Sequence, residues 1–185
     1  MELITDSLDL FGYCQSRYSR SHYNYILCTF NPKILELNRL RNNNLPSWEG
    51  FILFLFAIFY IGKGRNTRLR SHLYETRKAI CLDNYPNPKP KLKFILNEME
   101  KGNGILILRS HDGSTSFESH NREAAMLDGL TLENLTNINR GVMYGIEDWC
   151  TNKIRNYGIM LLYFMYKRYI DEQNQPIFLE ELMTI

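Results

Sequence analysis

The sequence predicts an α/β fold: a small, mainly antiparallel sheet of three strands flanked by helices, with a long helix towards the C-terminal end. Three observations carry that expectation. Short aromatic and aliphatic runs at 23–29, 56–62 and 104–110 have strand composition and end at turn residues. Amphipathic stretches at 66–80, 91–102 and 119–130 alternate with them at helical spacing. Residues 146–172 repeat apolar positions over a length that strands do not reach.

Taken in order, residues 1–20 read as an N-terminal extension, and "YNYILCT" (23–29) is the first strand. It stops at Pro32, which cannot continue a central strand. Residues 31 to about 55 then read as an insertion, with a short helix at "ILELNRLR" (34–41). The most apolar run, "FILFLFAIFYI" (51–61), is about half the length a membrane helix needs and reads as a buried strand with its lead-in; "FAIFYIG" (56–62) is that strand. Asn66 or Thr67 caps the next helix, on which Leu69, Leu73 and Tyr74 give an apolar side. "DNYPNPKP" (83–90) is a loop, because its prolines forbid helix and sheet interior alike. The helix at 91–102 closes on Gly102, and the third strand (104–110) is turned back by "DGSTS". Ser119 is the N-cap expected for the following helix, which places Arg122 and Glu123 in its first turn or so. The long helix carries a glycine, Gly158, at which a break is expected. Domain organisation is then one domain over 21–172, with a tail at 173–185.

Composition narrows the class. A chain of 185 residues with 44% apolar and 23% charged content has the means for a real core, which excludes wholesale disorder. The formal charge of +2 is uninformative, but six Lys or Arg residues face one acid, Glu75, between Lys63 and Lys78. Such a stripe suits a polyanion. Cys14, Cys28, Cys81 and Cys150 are far apart and include no C-x-x-C pair, which argues against a zinc site or disulfide framework and for a reducing compartment. With no secretory signal pattern at the start, the expected location is intracellular, nuclear or cytoplasmic, and no membrane partner is expected.

The stretch "FYIGKGRNTRLRSHLYE" (59–75) carries the chemistry. Gly62 and Gly64 let backbone come close to whatever lies at the strand end, and Lys63 between them is a point charge for a phosphate. Arg68 and His72, four apart, share a helix face; Arg65 and Arg70 add charge for a nucleic-acid backbone. No Walker or dinucleotide fingerprint is present, so a nucleotide loop is not the first choice and no organic cofactor is expected.

"YIGKG" (60–64) with "R-x-x-x-H" (68–72), after a strand bearing Tyr25 in "YNY", resembles the GIY-YIG nuclease family. The second half-motif is intact; in the first, the glycine and isoleucine are replaced. "NREAAML" places Glu123 where the family has its metal-binding glutamate, and "LTNINRG" places Asn137 where it has a late asparagine. More narrowly, "FAIFYIGKG", "HLYE" and "REA…LTN…G" resemble the nuclease domain of the animal ankyrin-repeat and LEM-domain endonucleases, although the chain carries no ankyrin repeats.

The resemblance implies a divalent-metal-dependent endonuclease that hydrolyses DNA phosphodiesters, with branched or structured DNA among its substrates and DNA repair as the process served. It implies a catalytic set of Tyr25, Tyr60, Lys63, Arg68, His72, Glu123 and Asn137, with Gly62, Gly64, Arg65 and Arg70 against the substrate. Glu123 would hold Mg²⁺ or Mn²⁺, and one of the two tyrosines would act as general base, the sequence leaving open which. Arg68 would neutralise the scissile phosphate, while Asn137 would bond it or fix its own loop. His120, three residues before Glu123, is left outside the set. The altered first half-motif keeps a second reading open, a catalytically inactive nucleic-acid-binding module of the same fold.

Overall fold

The computed structural model describes residues 20–39, 46–82, 87–145, 148–172 and 175–184. Within them lie three strands, β1 (His22–Thr29), β2 (Ile58–Arg65) and β3 (Ile105–Ser114). The helices are α1 (Pro32–Arg39), α2 (Trp48–Ala57), α3 (Arg68–Cys81), α4 (Pro90–Glu100), α5 (Ser116–Leu130), α6 (Thr151–Asp171) and α7 (Leu179–Thr184). Residues 1–19 of the expected extension, and 83–86 of the proline loop, fall outside this description.

The sheet order is β2-β1-β3, and both pairings are antiparallel. The three-stranded antiparallel sheet with flanking helices and a long C-terminal helix is therefore the expected fold. Because β1 is central and covered on both faces, six consecutive residues from Tyr23 to Cys28 are buried, and it reads as an almost unbroken apolar run. Alternation sends Ile26 and Cys28 into a cluster with α2, α5 and α6. Tyr23, Tyr25 and Leu27 enter the opposite cluster, which α3, α4 and α7 cover.

Several local expectations are corrected. Residues 51–57 are helical: Ser47 accepts a hydrogen bond from the Gly50 amide, and the buried positions Gly50, Phe51, Phe54 and Ala57 follow a helical period, so the strand begins only at Ile58. The third strand runs on to Ser114, with His111 and Gly113 in left-handed conformations (φ 55° and 74°) as the pairing shifts register. Helix α5 starts three residues before Ser119, at a capping box in which Thr115 and Glu118 satisfy each other's backbone amides. Glu123 consequently lies two turns into the helix. Tyr74 is not a packing residue but 72% exposed.

Helix α6 is unbroken at Gly158. A Cβ there would come 1.9 Å from the Ala125 carbonyl oxygen, so the missing side chain is what lets α5 and α6 touch. Helix α1 and the start of α2 are tied to α6 by a polar knot. Asn38 donates to the Tyr166 hydroxyl (2.7 Å) and accepts from the Ser47 amide (2.8 Å), while Tyr166 donates to the Ser47 carbonyl (2.9 Å). Beyond α6, Ile177 pairs with Ile105 on the outer edge of β3, and Leu182 of α7 is buried in the second cluster. Among the described residues no helix is long and apolar enough to cross a membrane.

Candidate active site

The register of β1 against β2 builds the first half of the site. Tyr25 lies opposite Gly62 and Tyr23 opposite Gly64, and each tyrosine ring lies over its glycine. A Cβ at Gly62 would meet the Tyr25 ring at 2.6 Å, and one at Gly64 would meet Tyr23 at 2.6 Å. The two glycines thus make room for rings of the neighbouring strand; Gly64, unlike Gly62, also lines a groove open to solvent. Tyr23 in turn starts α3. Its hydroxyl accepts from the Leu69 amide (3.2 Å) and donates to the Asn66 carbonyl (3.1 Å), replacing the side-chain cap that Thr67 does not make.

Tyr25, Tyr60 and His72 form an aromatic triangle. Ring centroids are 6.1 Å apart for Tyr25 and Tyr60, 5.5 Å for Tyr25 and His72, and 5.8 Å for Tyr60 and His72. The Tyr25 hydroxyl is 2.6 Å from His72 Nε2. Burial pushes the Tyr25 phenol far up, and the negative charge of a neighbouring Tyr60 would add to that. Burial raises Tyr60 too, but the neighbouring Tyr25 hydroxyl opposes the rise, and Arg68 favours the charged form of both. Of the two phenols, Tyr60 is the one that lines the cleft. His72 is held down to about 4, first by burial and then by Lys91, Arg68 and Lys89 around it, so its ring is neutral near pH 7.

A cleft of about 410 Å³ opens along the outer edge of β2. Tyr60 and Lys63 line it from β2, Arg68 from α3, Lys89 and Lys91 from the start of α4, His120 and Glu123 from α5. Lys63 Nζ is 2.5 Å from Glu123 Oε2, an ion pair whose carboxylate side chain is 13% exposed. The loop after α5 closes the far side. Thr136 donates its amide and hydroxyl to the Phe59 carbonyl, at 2.7 and 2.8 Å. Asn137 accepts from the Ile61 amide (3.0 Å) and donates to the Ile61 carbonyl (2.7 Å), so its amide holds backbone. The edge of β2 is thereby satisfied by a segment 76 residues away in sequence.

Seven expected catalytic residues thus divide into groups. Tyr60, Lys63, Arg68, Glu123 and Asn137 line the cleft; Tyr25 and His72 are buried behind Tyr60. Of the expected substrate contacts, Arg65 and Gly64 border an adjoining groove with His22 and Ser116, whereas Arg70 is exposed on α3 away from both. Sequence reasoning missed Lys89, Lys91 and Arg140 and set His120 aside; all four are on the cleft. A signal for the lysines existed. Helix α4 has Pro90 at its start and no acid in its first turn, where lysines oppose the helix dipole and so answer to something other than helix stability.

The LEM-3-like GIY-YIG domain family matches residues 22–184. The chain belongs to that family. It is similar to the ankyrin repeat and LEM domain-containing protein 1 of Mus musculus, 32% identical over 152 residues, and to the Homo sapiens protein of that name, 29% over 147. The Caenorhabditis elegans homolog is 30% identical over 135 residues. These matches cover 78%, 78% and 71% of this chain, but only 27%, 24% and 18% of the relatives, so the chain spans about a quarter or less of their length. No solved structure matches it.

GIY-YIG domains are nuclease-like and typically use a divalent metal, and the donors of this LEM-3-like domain fit one. Among the described residues no three His, Cys, Asp or Glu side chains converge on a common point. Among the described residues Glu123 is the carboxylate that lines the cleft. A single carboxylate with water completing the shell suits a small hard cation rather than zinc.

Proposed function

We propose that this chain is a divalent-metal-dependent DNA endonuclease that hydrolyses phosphodiester bonds, acting on branched or structured DNA. The observation that supports it is the gathering of Tyr60, Lys63, Arg68 and Glu123, from three elements, on one cleft that Lys89, Lys91 and Arg140 also line. Free Cys28, Cys81 and Cys150 accord with an intracellular setting, nuclear or cytoplasmic.

Tyr60 is the general base in this reading, because it faces the cleft while Tyr25 lies behind it. The neighbouring Tyr25 hydroxyl and the positive charge of Arg68 both lower the cost of a Tyr60 phenolate. Arg68, exposed and pointing along the cleft, neutralises the scissile phosphate. Lys63 holds the Glu123 carboxylate in place and adds charge beside the phosphate. Asn137 keeps the Ile61 backbone, and with it the flanking Tyr60 and Gly62, at fixed height. Glu123 would hold Mg²⁺ or Mn²⁺, which would supply Lewis acidity to the phosphate group when bound. Lys89, Lys91 and Arg140 extend the positive wall along which a nucleic-acid backbone lies.

Nicking of supercoiled plasmid and of flapped and four-way-branched DNA tests this. Cutting is expected with Mg²⁺ or Mn²⁺, is lost in EDTA, and falls at least ~10²-fold in Glu123→Ala, as for loss of a transition-state charge contact. Binding of DNA by the wild type without any cutting identifies an inactive module instead. Wild-type rates in Glu123→Ala remove the metal assignment.

A further inference from the structure

Behind Tyr60 lies a line of polar atoms that the catalytic set alone does not explain. Lys91 Nζ is 2.7 Å from His72 Nδ1, and His72 Nε2 is 2.6 Å from the Tyr25 hydroxyl. His72 is 6% exposed and Tyr25 fully buried, so water does not substitute for either bond. The Lys91 ammonium also lies over the Tyr60 ring, 4.5 Å from its centroid, which ties α4 to β2 at the same point.

The chemistry of these groups sets a direction. An ammonium has donors and no acceptor, so His72 Nδ1 must accept. A neutral imidazole carries one proton, which is then on Nε2 and is donated to the Tyr25 oxygen. With its oxygen accepting from His72, Tyr25 keeps its own proton clear of the imidazole, on a ring that stands beside Tyr60 at 6.1 Å between centroids. The two bonds, Lys91 to His72 and His72 to Tyr25, run the same way, and the first strengthens the second. Without Lys91 the ring is free to hold its proton on Nδ1. Nε2 then accepts from Tyr25, and the Tyr25 proton is turned to the imidazole.

We propose that Lys91 is a positioning residue that fixes the tautomer of His72 and, through His72, the orientation of the Tyr25 hydroxyl behind Tyr60. Its consequence for cutting rests on the nuclease reading above; its consequence for the imidazole does not. The groups facing Lys91 are Glu75, Arg68 and His72 of α3, Tyr60 of β2 and Lys89 of its own segment. Burial, with the positive charges of Lys89 and Arg68, lowers Lys91 to about 8 against the pull of Glu75. Donation is therefore obligatory below that pH and optional above it.

Long-range proton–nitrogen NMR of the ¹⁵N-labelled full chain at pH 7 tests the proposal, with the His72 signals assigned by their loss in His72→Asn. The wild type is expected to show a protonated Nε2 and a bare Nδ1, and Lys91→Arg, which also only donates, to keep that pattern. Lys91→Met is expected to shift the ring towards the Nδ1–H form. A wild-type His72 protonated on Nδ1 overturns the proposal without recourse to any variant, and so does an unchanged tautomer in Lys91→Met. On plasmid with Mg²⁺, Lys91→Met is expected to lower kcat about 10²-fold, the scale of a misplaced reacting group. Lys89→Met, which removes a cleft charge not bonded to His72, raises KM instead. A Lys91→Met enzyme with wild-type kcat overturns the link from tautomer to catalysis. A wild type that does not cut at all overturns the nuclease reading, and the NMR result then decides the role of Lys91 by itself.

Discussion

Residue 62 shows how closely two strands are matched in this molecule. A methyl group there would overlap the Tyr25 ring, and the ring cannot retreat because His72 and Tyr60 hold it from the other sides. Gly62→Ala is therefore expected to destabilise by about 1–3 kcal/mol, the range for overpacking a filled core, and to displace Tyr25. A urea midpoint equal to the wild type's would contradict this. The motif order alone located Tyr60, Lys63, Arg68 and Glu123, because each lies at a fixed offset from a recognisable run. The reason for the glycines was hidden, since it depends on which residue of β1 lies opposite, and register is not a local property of a sequence. Lys91 was hidden likewise: its partner His72 is 19 residues away on another helix.

Elements were legible in kind more than in extent. Residues 51–61 are apolar throughout, so composition favours one strand. The burial of Phe51, Phe54 and Ala57, however, is helical, and Ser47 begins the helix. Counting period as well as polarity would have divided the run. The start of α5 was misplaced for a similar reason: "STSFES" offers several hydroxyls, and the pairing of Thr115 with Glu118 decides among them. Thr115→Ala should cost about 1 kcal/mol, the usual loss for an N-cap, and lower the thermal midpoint. Glu118→Gln, which can still reach the Thr115 amide, should cost less. Gly158→Ala is the more severe change, because the obstruction is the Ala125 carbonyl, which is backbone and cannot rotate aside. Thermal melts of the two single variants place them in order, Gly158→Ala lower than Thr115→Ala.

Two histidines, His72 buried and His111 half-buried, make the whole molecule sensitive to acid. His72 and His111 are both held at about 4, chiefly by burial, whereas an unfolded histidine titrates near 6.5. Between those values the unfolded chain binds protons that the folded chain refuses, so stability is greatest above about pH 6.5 and declines as pH falls towards 4. Thermal midpoints should drop across that window, and less so in a His72→Asn, His111→Asn double variant. Asparagine tolerates the left-handed backbone of residue 111. Equal slopes in the two proteins would show that other groups carry the effect. The charge along the cleft acts at the same scale. DNA affinity should fall steeply with salt, and Lys89→Ala should reduce the slope of that dependence by about 1, the share of a single phosphate contact.

The segment Thr136–Asn137 has a bearing on when this cleft exists at all. During synthesis the chain emits Tyr25, then Tyr60 to Arg68, then Glu123, and last the two residues that clamp the outer edge of β2. Until they arrive, Phe59 and Ile61 present open backbone to any passing strand, and Tyr60 between them has no fixed height. The catalytic set of the cleft is thus complete only once residue 137 has been made, while α6 and α7, which finish the core, are still to come.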